Sequence, residues 1–431
     1  MPPLPLRSPR VLQSLLTLSA FRAFHHRNFR LLLAGTVLVG LVGPLHFVTQ
    51  IFWVQDVYED QQIIYTGVLM GARGVATLLF SLIGGAFADR FERRLVLLSC
   101  ESTTLVLNVF VALFMLLMPF GDATFFGVVA LTFLASATQA IDHPARQASI
   151  PAVVGMEDLG NAISLNSAAQ QLMIPITIPV AAVLNSQFGP GALYAGSLLV
   201  WLGIIPLIAM LDYESRGGAG RQVLRAVSDG LRYTRRHVVI FAAVALVFVM
   251  HGVGMPGVGN LGVIWATEVL DAGEKGFALM ALGWGGGAVV GSLYFAQRPD
   301  VAGRGWTLVL AAICFAVSAI LFAYSRSLWF TAITNVGLGV SLSASTVSAS
   351  VIVQEKVVEG MRGRVMALFP LTNGVAMLLT FPISAFAQQL GLPIVVSALG
   401  WTTLGLSAVI ILALPQIRGV RPGSNNSTAP G

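Results

Sequence analysis

Gly84-Gly85-Ala86-Phe87-Ala88-Asp89-Arg90-Phe91-Glu92-Arg93-Arg94 separates two long apolar runs, 64–88 and 95–118. Each run exceeds the roughly 20 apolar residues that a helix needs to cross the hydrocarbon core of a bilayer. Neither run alternates as a barrel strand does, and a helix satisfies its own backbone hydrogen bonds inside lipid. The charges between the runs are too costly to leave in hydrocarbon, so Asp89 to Arg94 form a turn at the membrane surface. A turn this rich in arginine belongs on the cytoplasmic face, because positively charged loops resist translocation.

The same reading extends in both directions along the chain of 431 residues. Apolar stretches cover 30–54, 64–88, 95–118, 123–141, 159–185 and 190–211, then 238–264, 275–297, 305–324, 327–353, 364–388 and 392–414. They predict an all-α integral membrane protein of twelve transmembrane helices. Composition agrees: 56% of residues are hydrophobic and 10% are charged, whereas soluble domains carry about 25% charged residues. The net charge of +6 would suggest a nucleic-acid partner in a soluble protein, but here the placement of charge decides its meaning, and no nucleic acid is implied. Cys100 and Cys314 both lie inside apolar runs and read as small packing residues, with neither a disulfide nor a metal site in the pattern.

Arg90, Arg93, Arg94, Arg146, Arg298, Arg304, Lys356, Arg362 and Arg364 fall in links on one side. Links on the other side hold Lys275 and Arg326 beside Asp56, Glu59, Asp60, Glu268, Asp271 and Glu274. Both termini are therefore expected in the cytoplasm. Residues 1–29 read as a cytoplasmic amphipathic segment, 30–211 as one six-helix bundle, 212–237 as a linker, 238–414 as a second six-helix bundle and 415–431 as a disordered tail. Arg7, Arg10 and the run 11–20 imitate a secretory signal but are too polar and lack a cleavage site. In the linker, Val223, Leu224, Val227 and Leu231 share one helical face and Arg221, Arg225, Arg232, Arg235 and Arg236 the others, the pattern of an interfacial helix. The triplets at 425–428 resemble glycosylation sites but fall in the cytoplasmic tail. Pro151 to Leu165 and Glu355 to Leu368 occupy matching places in the two bundles, which points to a six-plus-six duplication.

The 84–94 stretch resembles the signature of the major facilitator superfamily: a glycine, then Ala-Asp-Arg, then a basic pair. Phe24-His25-His26-Arg27-Asn28-Phe29-Arg30-Leu31, Asp142-His143-Pro144-Ala145-Arg146-Gln147-Ala148, Asn161-Ala162-Ile163-Ser164-Leu165-Asn166-Ser167 and Arg362-Gly363-Arg364-Val365-Met366 look like the branch that holds the bacterial enterobactin exporter and macrolide efflux proteins. The resemblance covers about residues 21–415 and implies two pseudo-symmetric bundles in the major facilitator fold. Glu92 stands where the superfamily motif usually has glycine, and the link 298–304 lacks the Ala-Asp-Arg core. In the superfamily the acid of the motif faces the start of span eleven, near Arg364 here, where the helix dipole favours negative charge. The second arginine, Arg93, would pair with an acid at the cytoplasmic end of span four, where Asp142 stands. The resemblance thus implies a lock made of Asp89, Arg90, Arg93, Arg94, Asp142, Arg146 and Arg364, which holds the outward-open state and breaks on inward opening. The alternative is a loop that only sets topology.

Polar groups inside the spans are candidates for touching cargo or a coupling ion, because each is expensive in lipid. Arg73 in span two is placed to meet an anionic group or to snorkel. Glu101 in span three is placed to carry a coupling proton or to support the arginine lock. Spans one and seven carry Gly40, Gly43, Pro44 and His46, and His251, Gly252, Gly254, Pro256, Gly257 and Gly259. Interrupted helices in matching positions point to a substrate site. His46 and His251 are candidates for cargo or proton binding, against a packing role. Gln50, Gln139, Asn260 and Asn335 complete the candidate lining. Gly283-Trp284-Gly285-Gly286-Gly287 lies inside span eight, follows no strand, and reads as a close-packing surface rather than a nucleotide loop.

These observations point to a secondary transporter, most simply an exporter of small organic or amphipathic molecules in a bacterial inner membrane. It is expected to be monomeric, to use no cofactor and no ATP, and to have the proton as candidate coupling ion. An importer of the same fold is the nearer alternative. A membrane enzyme would need a cluster of His, Asp or Ser at one membrane face, and the sequence shows none.

Overall fold

Backbone groups in hydrocarbon must be satisfied within the chain, and the apolar runs accordingly fold as helices. In the computed structural model α1 (Arg27–Val57), α2 (Gln62–Arg90), α3 (Arg93–Leu117), α4 (Asp122–Val154), α5 (Leu159–Phe188) and α6 (Pro190–Ala209) precede a linker helix, α7 (Val223–Arg236). Then come α8 (Val238–Val269), α9 (Gly273–Gln297), α10 (Arg304–Tyr324), α11 (Leu328–Lys356), the short α12 (Glu359–Met366), α13 (Leu368–Leu390) and α14 (Leu392–Ala413). The structure describes residues 19–119, 121–155, 157–213, 223–297, 303–366 and 368–419. The signal-like run up to residue 18, Arg221, Arg298 and the 425–428 triplets lie outside the described residues, as do the side chains of Asp89, Val223, Leu224, Arg225 and Val227. Among the described residues 11 helical stretches are long and apolar enough to cross a membrane, with the end of α12 and α13 forming one of them. α9, with 25 residues, is the remaining long helix.

Two expectations are corrected. The sequence places the end of span four at 141, yet α4 continues through Pro144 and Pro151 to Val154. Pro144 has no N–H to offer the Ala140 carbonyl, and Gly84 of α2 packs there: a Cβ on Gly84 would lie 2.9 Å from that oxygen. The extension carries Arg146 out of its expected loop and into the bundle, where it is 5% exposed. Span one is not interrupted either: α1 passes Pro44 without a break. Of the two, α8 departs from regular helix, through π turns at Val249–Gly254, Pro256–Asn260 and Trp265–Val269. There Gly252, Gly254, Pro256, Gly257 and Gly259 crowd a single stretch, and the ladder widens to i→i+5.

Equivalent turns separate the last two helices of each group. Gly189 joins α5 to α6 at φ +75° and Gly391 joins α13 to α14 at φ +91°, a conformation that a side chain would strain.

Two seams hold the helices before the linker against those after it: α2 against α13, and α5 against α9. Hydrogen bonds join the same two groups at the end that carries the acidic links, from Gln55 Nε2 to Thr267 Oγ1 at 2.8 Å, from Gln388 Nε2 to the Asp60 carbonyl at 3.0 Å, and between Asn185 and Glu274 and between Gln62 and Glu268. Phe52 and Phe277 pack edge to face across this acidic end, with centroids 6.4 Å apart. At the opposite, basic end, Arg22 and His26 reach Asp158 at 3.3 and 3.0 Å. There α7 rests on α12, with Gly230 so close that a Cβ would lie 2.5 Å from the Arg364 carbonyl.

The glycines of span eight do serve close packing. A Cβ on Gly283 would stand 2.4 Å from the Ala332 carbonyl, and one on Gly287 2.2 Å from the Val336 carbonyl, both on α11. Backbone has no room to give there. Gly287→Leu is expected to lower thermal stability by about 1–3 kcal/mol, measured by thermal unfolding of the purified protein.

Candidate functional site

The helical period places Asp142 and Arg146 on one face of α4, one turn apart. Arg146 donates from Nε to Asp142 Oδ2 at 3.0 Å, and from Nη2 to Asp142 Oδ1 at 3.3 Å and to Glu101 Oε1 of α3 at 2.7 Å. Trp201 of α6 donates its indole N–H to Glu101 Oε2 at 3.1 Å. Glu101 and Asp142 are 4% and 6% exposed. Glu101 and Arg146 lie about 12 Å, and Asp142 about 18 Å, along the helix axes from the basic ends of α3 and α4.

A cavity of about 150 Å³ adjoins this cluster, and Glu101, Asp142 and Arg146 form part of its wall. The rest of its polar lining comes from Thr36 of α1, Thr104 of α3, Gln139, His143 and Gln147 of α4, and Asn166 and Gln170 of α5. Gln139, His143 and Gln147 recur every four residues and are all exposed, so one face of α4 turns a polar stripe to open space. His143 is hydrogen-bonded to Gln170.

A second polar layer lies nearer the acidic end. Gln50 of α1 is 1% exposed. It donates to Thr132 Oγ1 of α4 at 2.9 Å and to the Tyr194 hydroxyl at 3.3 Å, and accepts from Arg73 Nη2. The Arg73 guanidinium also lies over the Phe47 ring, 5.7 Å from its centroid. Arg73 has no carboxylate partner among the described residues. His46 is bonded to Ser197 Oγ at 2.7 Å and stacks on Tyr194 and Trp201, with centroids 4.0 and 5.6 Å away. His46 is 3% exposed. Trp201 touches both layers, joining them into one network.

Beyond the linker, His251 Nδ1 lies 3.3 Å from Asn373 Oδ1, and Asn260 donates to Thr380 Oγ1 at 2.7 Å. Asn335 donates to the Thr331 carbonyl of its own helix at 2.8 Å and is 3% exposed. It packs within the bundle.

Of the lock residues, Asp89 has its side chain outside the described residues, and the partner of Asp142 differs from the expected one. Asp142 is held by Arg146 instead of Arg93, which donates to the Ala148 carbonyl at 2.8 Å. The extension of α4 explains this: it brings a nearer guanidinium to Asp142 and sets the Ala148 carbonyl beside Arg93. Arg94 donates to the Ala209 carbonyl, and Arg90 lies over the Phe91 ring at 5.8 Å. Arg364 pairs with Asp229 of the linker helix at 3.0 Å.

No curated protein matches the chain. The family described as transmembrane secretion effector, in the major facilitator superfamily, matches residues 18–427. The chain belongs to the transmembrane secretion effector family. Among solved structures, a POT family transporter in complex with 5-aminolevulinic acid is similar in fold, with a TM-score of 0.72 and 12% identity over 91% of this chain and 97% of that one. A D-xylose-proton symporter has a TM-score of 0.70 and 14% identity, over 94% of this chain and 100% of its own. A human organic anion transporter has a TM-score of 0.64 and 14% identity, over 89% and 99%. The protein is thus a multi-pass membrane transporter of the major facilitator superfamily, not an enzyme.

In this secretion effector, Glu101, Gln139, Asp142 and Arg146 come together around the cavity, and Gln50, Arg73 and His46 in the layer beyond it. His251 and Asn260 lie in the other helix group. His143, Gln147, Asn166, Gln170 and Trp201 are additions that the sequence reading missed. The four-residue spacing of Gln139, His143 and Gln147 is the available signal, hidden because the apolar run of span four ends at 141.

Proposed function

We propose that this secretion effector exports small organic or amphipathic molecules by alternating access, with cargo bound between two six-helix bundles near mid-membrane. The bundles are 30–211 and 238–414, joined by 212–237 and flanked by 1–29 and 415–431. α9 supplies the twelfth span, both termini lie in the cytoplasm, and the membrane is the inner membrane of a bacterium. One observation carries the reading: helices of the two groups are bonded together at the acidic end, while the polar cavity lies towards the basic end. Under the charge rule the basic end is cytoplasmic, so the site has the placement of one that loads from inside. The two seams also exchange under a six-plus-six duplication, α2 with α9 and α13 with α5. The sequence pieces shared with enterobactin and macrolide exporters favour siderophore-like or drug-like cargo.

A panel of such compounds, tested for thermal stabilisation of the purified protein, identifies cargo, since a ligand at about 100 times its Kd adds about 2.7 kcal/mol. Vesicles loaded with the compound that binds, with and without a pH gradient, then give direction. Net movement from the basic to the acidic side supports export, and movement the other way establishes the importer. Asp89→Asn is expected to depress transport of that compound severely while leaving membrane insertion intact, measured by vesicle flux and by protein recovered in the membrane. Unchanged flux would remove Asp89 from the lock.

A further inference from the structure

The buried cluster in the first helix group is unbalanced in charge. Two carboxylates, Glu101 and Asp142, share the single guanidinium of Arg146. No second cation is bonded to either among the described residues. The other titratable groups around them are Cys100 on α3, His143 on α4 and Tyr213 beyond α6. α1 faces the cavity with Thr36, Val39 and Gly40, and α5 with Asn166 and Gln170, none of them charged. With both acids ionised, the site would keep one uncompensated negative charge away from bulk water, which is strongly unfavourable.

The two acids are not equivalent. Asp142 receives both of its described hydrogen bonds from Arg146, one at each oxygen, a forked, charge-assisted arrangement that favours the anion. Glu101 receives one bond from Arg146 and the other from the neutral indole of Trp201. It is the less supported anion, and it borders the cavity.

We propose that Glu101 carries one exchangeable proton, taken from and returned to water in the adjoining cavity, and that this carboxyl is where a proton gradient acts on the transporter. The proton adds to a carboxylate oxygen of Glu101, and no other bond forms or breaks. Arg146 Nη2, which touches both acids, leans to Asp142 when Glu101 is neutral and is shared when it is ionised. The coupling role rests on the transport reading above; occupancy by the proton does not.

The test uses the full-length protein in lipid nanodiscs, with the proton as the only probe and infrared spectroscopy as the readout. The wild type is expected to show a buried protonated-carboxyl C=O band that fades as pH is raised. Glu101→Gln removes the carrier. Asp142→Asn leaves Glu101 alone with Arg146 and so keeps it ionised. Both variants restore charge balance, so both are expected to fold and to lose the band. A band that is absent from the wild type, or that persists in either variant, overturns the proposal. A wild-type band lost in both variants supports the proton site even if no compound crosses vesicles against a pH gradient, an outcome that would instead sink the coupling role.

Discussion

Replacing Gly74 by leucine is expected to open the acidic end of the molecule without unfolding it. A Cβ at Gly74 would lie 2.3 Å from the backbone nitrogen of Leu378 and 2.8 Å from the Gly374 carbonyl on α13. These are backbone atoms, so α13 must move away as a body. Gly67 and Gly71 share the same face of α2, where a Cβ would stand 1.7 Å from Ser384 Oγ and 2.9 Å from Phe381 Cβ. Small residues at this spacing let two membrane helices approach closely. The clash falls on a seam between the two helix groups, so a large side chain penalises one conformation more than the fold. Overpacking of this kind costs about 1–3 kcal/mol, a shift of about 5- to 150-fold between two states.

The second seam supplies the control. A Cβ on Gly285 of α9 would lie 1.8 Å from Pro175 Cβ on α5, so Gly285→Leu should act in the same direction as Gly74→Leu. Spin-label distances between the acidic-end tips of α2 and α13 should lengthen in both variants. Gly287→Leu, whose clash is internal to one group, should leave that distance unchanged and lower stability instead. Wild-type distances in both seam variants would show that these glycines do not control closure.

Much of this architecture was legible from the chain because lipid imposes a narrow rule. A charge-poor run of sufficient length must be a helix, and the arginines at 90, 93 and 94 fix where two such helices turn. The same rule misplaced Arg146. Its charge places it in a cytoplasmic link after a span ending at 141, whereas α4 runs on to Val154 through Pro144 and Pro151. The buried arginine is held by Asp142 one turn away and by Glu101 on another helix, 45 positions off. The sequence offers Glu101 only as a general support of the lock, without naming Arg146 as its partner. The glycine stripe of α2 was equally silent, since a glycine shows its use only once the helix opposite is in place. In span one, Gly40, Gly43 and Pro44 suggest an interruption, yet the helix runs unbroken from Arg27 to Val57.

Arg146→Gln is expected to be the most damaging single change in the transporter. It leaves Glu101 and Asp142 facing each other with neutral donors only, in a site where all three side chains are nearly fully buried. Removing one partner of a buried charge pair costs about 3–5 kcal/mol. The deficit should grow as pH rises, because both acids must then be charged without a cation, and shrink as protons neutralise them. Arg146→Lys should recover only part of the loss: an ammonium keeps the charge but lacks the planar fork that reaches both oxygens of Asp142 and one of Glu101. The triple change Glu101→Gln, Asp142→Asn, Arg146→Gln should be more stable than Arg146→Gln alone, since amides can pair with one another where stranded carboxylates cannot. Thermal unfolding of the four proteins across pH measures this ordering. An Arg146→Gln protein as stable as the wild type at high pH would mean that the guanidinium is not what keeps the two acids inside the membrane.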